Sequence, residues 1–131
     1  MGMEVAAACP EGYDPDPRVL DFARSSPDHK FTLCRAPKDA AAGADVVFTD
    51  VWASMGQEGE KAVREKAFQG FCVDAGLMAL ANPGCMVQHC LPAHRGEEIT
   101  AEVFEAHAQE IFDEAENRLH AQKAVMYLLM K

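Results

Sequence analysis

The chain has 131 residues, 49% hydrophobic and 25% charged, which is the composition of one modest globular domain and argues against a disordered chain. Asp and Glu outnumber Lys and Arg 21 to 12, a formal net charge of -9, which argues against a nucleic-acid binder built on a basic face. No apolar run approaches the roughly 20 residues of a membrane helix.

Residues 3–9 are apolar and short, end at Pro10-Glu11-Gly12, and read as a strand rather than a signal peptide. Asp16 and Pro17 have the form of a helix cap and first helical residue. Val19, Leu20, Phe22 and Ala23 then form an apolar face, and Ser25-Ser26-Pro27 a stop. A second strand is predicted over 31–34, and a short helix over 37–42 with Gly43 as its C-terminal cap. Val46-Val47-Phe48-Thr49 has no polar alternation until its end, as in a strand buried on both faces.

A loop follows over 50–57, then a charged surface helix over 58–68 and an apolar helix over 71–80. Asn82-Pro83-Gly84 is a turn, and residues 85–89 are another short buried strand. Thr100 caps a helix running to about Phe104, and Ile111-Phe112 form a last short strand. The longest helix is predicted over 114–131, with Leu119, Ala121, Val125, Leu128 and Leu129 available for burial and Met126 in the core.

Helices alternating with short buried strands predict a parallel α/β sheet in one domain, without repeat or linker. The chain opens directly in a strand, so this sheet is expected to lack a helix or a strand. The five cysteines (Cys9, Cys34, Cys72, Cys85 and Cys90) are odd in number and contain no Cys-x-x-Cys pair. They fit reduced cytosolic thiols better than a disulfide framework or a four-thiolate zinc site.

Ligands of open α/β sheets bind beyond the carboxyl ends of the strands. Asp50-Val51-Trp52-Ala53-Ser54-Met55-Gly56-Gln57 and His89-Cys90-Leu91-Pro92 both fall there, and a third segment carries Glu114 and Arg118. Together they offer a carboxylate for an ammonium, a thiol, and a guanidinium for an anion or a carbonyl oxygen. Each has a plainer alternative in isolation. Asp50 can cap a turn, Cys90 can fill the core, Arg118 can pair with Glu114 on a helix surface, and Trp52 can simply pack. His89 and His94 lack the constellation of a zinc site. Neither GxGxxG nor GxxxxGK[ST] occurs, which leaves dinucleotide and P-loop readings without support.

In combination and order these segments resemble the ornithine carbamoyltransferases. Asp50 to Gln57 resembles that family's D-x-x-x-S-M-G loop, His89 to Pro92 its HCLP motif, and Phe112 to Ala124 its C-terminal signature. The resemblance covers nearly the whole chain. It implies a partial Rossmann-like parallel sheet flanked by helices, three layers deep (αβα). The implied reaction moves a carbamoyl group from carbamoyl phosphate to the side-chain amine of L-ornithine, giving L-citrulline and phosphate, with no metal or organic cofactor.

By the same resemblance Asp50 and Cys90 orient the ornithine amine, and Ser54 and Met55 hold its amino-acid end. Cys90 and Leu91 meet the carbamoyl group, His89 shapes that wall of the carbamoyl-phosphate site, and Arg118 binds the carbonyl oxygen. Phe71 and Cys72 stand where the family has tyrosine and glutamine. The family's S-T-R-T and H-P-x-Q segments do not occur in this sequence. The expectation is therefore an incomplete ornithine-binding domain, truncated on its N-terminal side, without the carbamoyl-phosphate-binding domain and inactive alone. Its parent is expected to be a cytoplasmic homotrimer. The alternatives are a noncatalytic amino-acid-binding remnant, or a carbamoyltransferase for putrescine or an acylated ornithine.

Overall fold

The computed structural model describes residues 2–25, 30–54 and 56–131. The elements run in the order β1 (Glu4–Ala8), α1 (Pro17–Ser25), β2 (Lys30–Cys34), α2 (Pro37–Ala41), β3 (Val46–Thr49), α3 (Lys61–Ala67), α4 (Ala75–Met78), β4 (Met86–His89), α5 (Ala101–Ala106) and α6 (Ala108–Leu129), with a single 3-10 turn, Glu58–Glu60, before α3. The fold is α/β, with parallel strands flanked by helices. The strands form two separate parallel pairs, β1 with β2 and β3 with β4.

Local chemistry sets most boundaries. The Asp16 carboxylate accepts the Arg18 N–H at 2.8 Å while Pro17 supplies the first helical residue of α1. Asp74 caps α4 through the Leu77 N–H at 2.7 Å, and Thr100 caps α5 through the Val103 N–H at 3.3 Å. Gly43, at φ +71°, ends α2 and donates to the Leu80 carbonyl at 2.9 Å, which ties that turn to the end of α4.

The core lies between β4 and the C-terminal helices. It contains Val73, Val87, Ile99, Val103, Phe104 and Ile111. Val87 at the centre of β4 and Ile111 near the start of α6 are wholly enclosed.

Several expectations are corrected. Ile111 and Phe112 belong to α6, not to a strand. A helix turns adjacent side chains apart by about 100°, which buries Ile111 and leaves Phe112 exposed. Residues 71–80 are not one helix, because Val73 bridges to Ile99 and only Ala75–Met78 are helical. In α1 only Leu20 is buried, while Val19 and Phe22 are turned off the face that meets β2. β3 is covered on one face only, and Val46 and Phe48 are exposed on the other.

The second half of α6 is exposed as well. Leu119, Val125, Met126, Leu128 and Leu129 are all open to solvent, as is Ala121, because no described element packs over them. The helix stop read at Ser25-Ser26-Pro27 agrees at Ser25; Ser26 and Pro27 lie outside the described residues.

Candidate active site

Thr49 of β3 and His89 of β4 are the last register pair of their ladder. One residue further, Asp50 and Cys90 therefore leave adjacent strands at the same level and on the same side of the sheet end. The Cys90 thiol donates to Asp50 Oδ1 at 3.2 Å, across 40 positions of sequence. The same oxygen accepts the Val51 N–H at 2.7 Å, which holds the carboxylate at the start of its loop. Burial pushes the Cys90 thiol up from its usual range, and the Asp50 hydrogen bond and the charges of Asp50 and Glu114 push it further. At neutral pH Cys90 is thus held as a neutral thiol beside Asp50.

Behind this pair lies a buried carboxylate–imidazole contact. His89 and Glu98 are both fully enclosed, with His89 Nε2 3.0 Å from Glu98 Oε1. His89 Nδ1 accepts the Leu91 N–H at 2.9 Å, so the ring hydrogen sits on Nε2 and is donated to Glu98. Glu98 Oε1 also accepts the His94 N–H at 2.6 Å. Two side chains thereby pin both ends of the turn through Leu91, which has φ 55° and precedes a cis peptide to Pro92. A left-handed backbone is uncommon for leucine, and the His89 contact is what holds it.

The opening in front is a cavity of about 420 Å³ whose lining includes Asp50, Ser54, Cys90 and Leu91 together with the charged or titratable Lys61, His94 and Glu97. Lys61 donates to Glu97 at 2.9 Å, and that carboxylate raises the ammonium above its usual value. The Ser54 loop is closed by two contacts with Gln57, Ser54 N–H to Oε1 at 3.1 Å and Gln57 N–H to the Ser54 carbonyl at 3.0 Å. Trp52 stacks on Phe68 at 6.0 Å and its carbonyl accepts from Arg64, so this tryptophan packs and anchors the loop to α3.

Asp50, Ser54, Cys90 and Leu91 are brought together around one opening. His89 lies directly behind them, with both ring nitrogens committed. For the same reason the trio Asp50, His89 and Cys90, whose ligand atoms cluster within 4.8 Å, offers a metal no free imidazole nitrogen. Met55 lies outside the described residues. Arg118 is exposed on α6, pairs with no carboxylate among the described residues and does not line the opening. Glu114, one turn earlier, lies near enough to Cys90 for its charge to raise the thiol.

Glu98 was not singled out from sequence. Its one sequence signal, an acid directly before the apolar Ile99, does not name a partner nine positions away.

The geometry offers a carboxylate for an ammonium, a neutral thiol beside it, and a pinned backbone turn. The model for "Aspartate/ornithine carbamoyltransferase, Asp/Orn binding domain" matches residues 1–129. An ornithine carbamoyltransferase of Geobacter metallireducens is 59% identical over 131 residues, covering 100% of this chain and 43% of that protein. One from Geobacter sulfurreducens is 57% identical over the same span. Among solved structures, the anabolic ornithine carbamoyltransferase of Campylobacter jejuni superposes with a TM-score of 0.91 at 41% identity, over 98% of this chain and 43% of the other. The chain thus spans less than half the length of the curated relatives it matches. No helix among the described residues is long and apolar enough to cross a membrane.

Proposed function

The chain belongs to the aspartate/ornithine carbamoyltransferase family, and we propose that it is the amine-binding side of an enzyme carbamoylating L-ornithine. The carbamoyl donor is carbamoyl phosphate, and the products are L-citrulline and phosphate. The domain that holds the donor's phosphate is supplied by polypeptide outside this sequence, and the working enzyme is a homotrimer.

The observation that carries this reading is the Cys90–Asp50 contact at 3.2 Å on the rim of the cavity. The Asp50 carboxylate attracts the substrate's ammonium ends, and Cys90, held as a neutral thiol, adds no second negative charge. The side-chain amine reacts in its neutral form. Its lone pair forms the new C–N bond at the carbonyl carbon, the C–O bond to phosphate breaks, and the proton shed by nitrogen leaves with the phosphate. Positioning of the two reactants supplies most of the rate gain.

Leu91 has its N–H committed to His89, so its carbonyl is the group left to accept from the carbamoyl NH₂. Ser54 and Met55 hold the amino-acid end. Arg118 shares a helix face with Glu114, four residues earlier, and is assigned to the carbonyl oxygen, where charge develops.

Calorimetric titration of the chain tests the amine side. L-Ornithine should give binding heat at millimolar concentration, and Asp50→Asn should weaken it at least tenfold. Putrescine and N-acetyl-L-ornithine, titrated alongside, should bind less well. A stronger response to either would reassign the substrate, and no heat from any of the three would end the reading. Citrulline formation by the purified chain without a second domain would refute the division of labour.

A further inference from the structure

The turn that follows Pro92 gathers a second set of ligand atoms. The Glu97 N–H donates to the His94 carbonyl at 3.0 Å and the Gly96 N–H to the Ile99 carbonyl at 2.8 Å, with Gly96 at φ +93°. A glycine in that conformation lets the chain fold back within a few positions. His94, Glu97 and Glu98 are thereby drawn together, and one ligand atom from each lies within 4.8 Å of the other two.

Glu98 is the fully enclosed member. Its Oε1 accepts from His89 Nε2 and the His94 N–H, but its Oε2 is buried and accepts no hydrogen bond. A buried carboxylate oxygen without a donor is costly, and a cation against it offsets that cost. His94 Nδ1 stands 4.0 Å from this oxygen, too far for a hydrogen bond. Two ligands of one metal ion lie roughly 3–4 Å apart when each bond is about 2.1 Å long. The separation is therefore that of two groups with an ion between them. His89 has both ring nitrogens committed, whereas neither ring nitrogen of His94 takes part in a hydrogen bond among the described residues.

Glu97 supplies the third ligand from the partly exposed side. Its Oε1 holds the Lys61 ammonium at 2.9 Å, which leaves Oε2. Glu65 lies 3.5 Å from the same ammonium and keeps a partner for Lys61 when Glu97 turns to an ion. Two carboxylates against one ammonium leave the group net negative. One imidazole nitrogen with two carboxylate oxygens suits a borderline divalent transition metal, whereas Mg²⁺ and Ca²⁺ prefer oxygen ligands throughout. We propose that His94, Glu97 and Glu98 bind such an ion, of the class of Zn²⁺ and Co²⁺, with Glu98 Oε2 as the buried anchor. The site shares no ligand with the Asp50–Cys90 pair, although His94 and Glu97 also line that opening.

Titration of the reduced, chelator-stripped chain with Co²⁺ tests this. Nitrogen and oxygen ligands give Co²⁺ only weak visible bands, while a cysteine thiolate adds an intense near-ultraviolet one. Saturable binding of one ion per chain, with the weak bands alone, is expected. Zn²⁺ should displace the Co²⁺ and Mg²⁺ should not. His94→Ala and Glu97→Gln, both at partly exposed positions, should keep the circular dichroism of the chain and each weaken binding at least tenfold. Lys61→Met removes the competing ammonium and should strengthen it several-fold. In the NMR spectrum of the unsubstituted chain, Co²⁺ should broaden the His94 ring signals before those of His107 and His120, which each face a single glutamate.

No binding at millimolar Co²⁺ would overturn the proposal, as would displacement by Mg²⁺ or full affinity in His94→Ala. A thiolate band would overturn it by placing the ion on a cysteine. Unchanged affinity in Lys61→Met would overturn it by placing the ion away from Glu97. None of these readouts uses ornithine, so the result is independent of the substrate assignment.

Discussion

The Cys90 thiol and the Asp50 carboxylate meet at 3.2 Å because each is the first residue beyond one of two adjacent strands in register. The contact has a chemical consequence that is measurable without substrate. Burial is the first cause of the raised Cys90 value and survives replacement of Asp50; the hydrogen bond and the charge of Asp50 do not. Asp50→Asn should therefore lower the Cys90 pKa toward the usual thiol range. The thiolate is the species that alkylates, and its fraction rises about tenfold per unit of pKa lowered. Iodoacetamide labelling of Cys90 at mildly alkaline pH, read by peptide mass spectrometry, should be several-fold faster in the variant. Equal rates would show that Asp50 does not control the thiol.

Glu98 is the residue on which the turn behind the site depends. Its Oε1 takes hydrogen bonds from His89 Nε2 and the His94 N–H, both within the protein. Glu98→Ala leaves one buried and one part-buried donor without an acceptor, a loss of about 1–4 kcal/mol at the usual cost of such groups. Glu98→Gln keeps an oxygen at Oε1 and should cost less, because Oε2 accepts no hydrogen bond and has only the His94 ring, 4.0 Å away, as a charge partner. Urea denaturation of the two variants checks the order. A glutamine variant as unstable as the alanine one would mean that the charge, rather than the acceptor, holds His89.

Acid sensitivity should trace partly to Glu110. Burial raises its carboxyl, but the Val87 N–H and His107 outweigh that and hold it below the usual value. A carboxyl depressed in the folded state contributes stability above its unfolded pKa, and that contribution disappears as pH falls through the folded value. The wild-type chain should accordingly lose stability on acidification below the ordinary glutamate range. Glu110→Gln should be less stable at neutral pH and lose less between neutral and acid. Denaturation midpoints at the two pH values decide it, and parallel losses in both proteins would exclude Glu110 as the sensor.

Asp50 and Cys90 were legible in the sequence because each directly follows a short apolar run, and the ends of such runs are where α/β folds gather polar groups. Glu98 was not, because what makes it matter is a partner on another segment. Ile111-Phe112 reads as a strand in sequence yet lies in α6, because one residue in and the next out is common to strand and helix over so short a stretch. Val46, Phe48 and the leucines of α6 are apolar as read, yet exposed. Hydrophobicity along a chain records that a residue suits a covered position, and says nothing of which element covers it.

That distinction gives the last prediction. Ile111 and Leu128 are both large aliphatics on α6, but Ile111 is fully enclosed by the core cluster while Leu128 is 71% exposed. Ile111→Ala removes packed methyl groups and leaves a cavity in the cluster that also holds Val87 and Phe104, which costs about 2–5 kcal/mol in comparable cores. Leu128→Ala removes no enclosed contact and should change the stability of this chain by less than about 0.5 kcal/mol. Thermal or urea unfolding of the two variants compares them directly. A Leu128→Ala loss as large as that of Ile111→Ala would show that the end of α6 is covered in solution, by a second copy or by packing of α6 other than that described. A small loss at both positions would remove Ile111 from the core that positions β4 and, through it, Cys90.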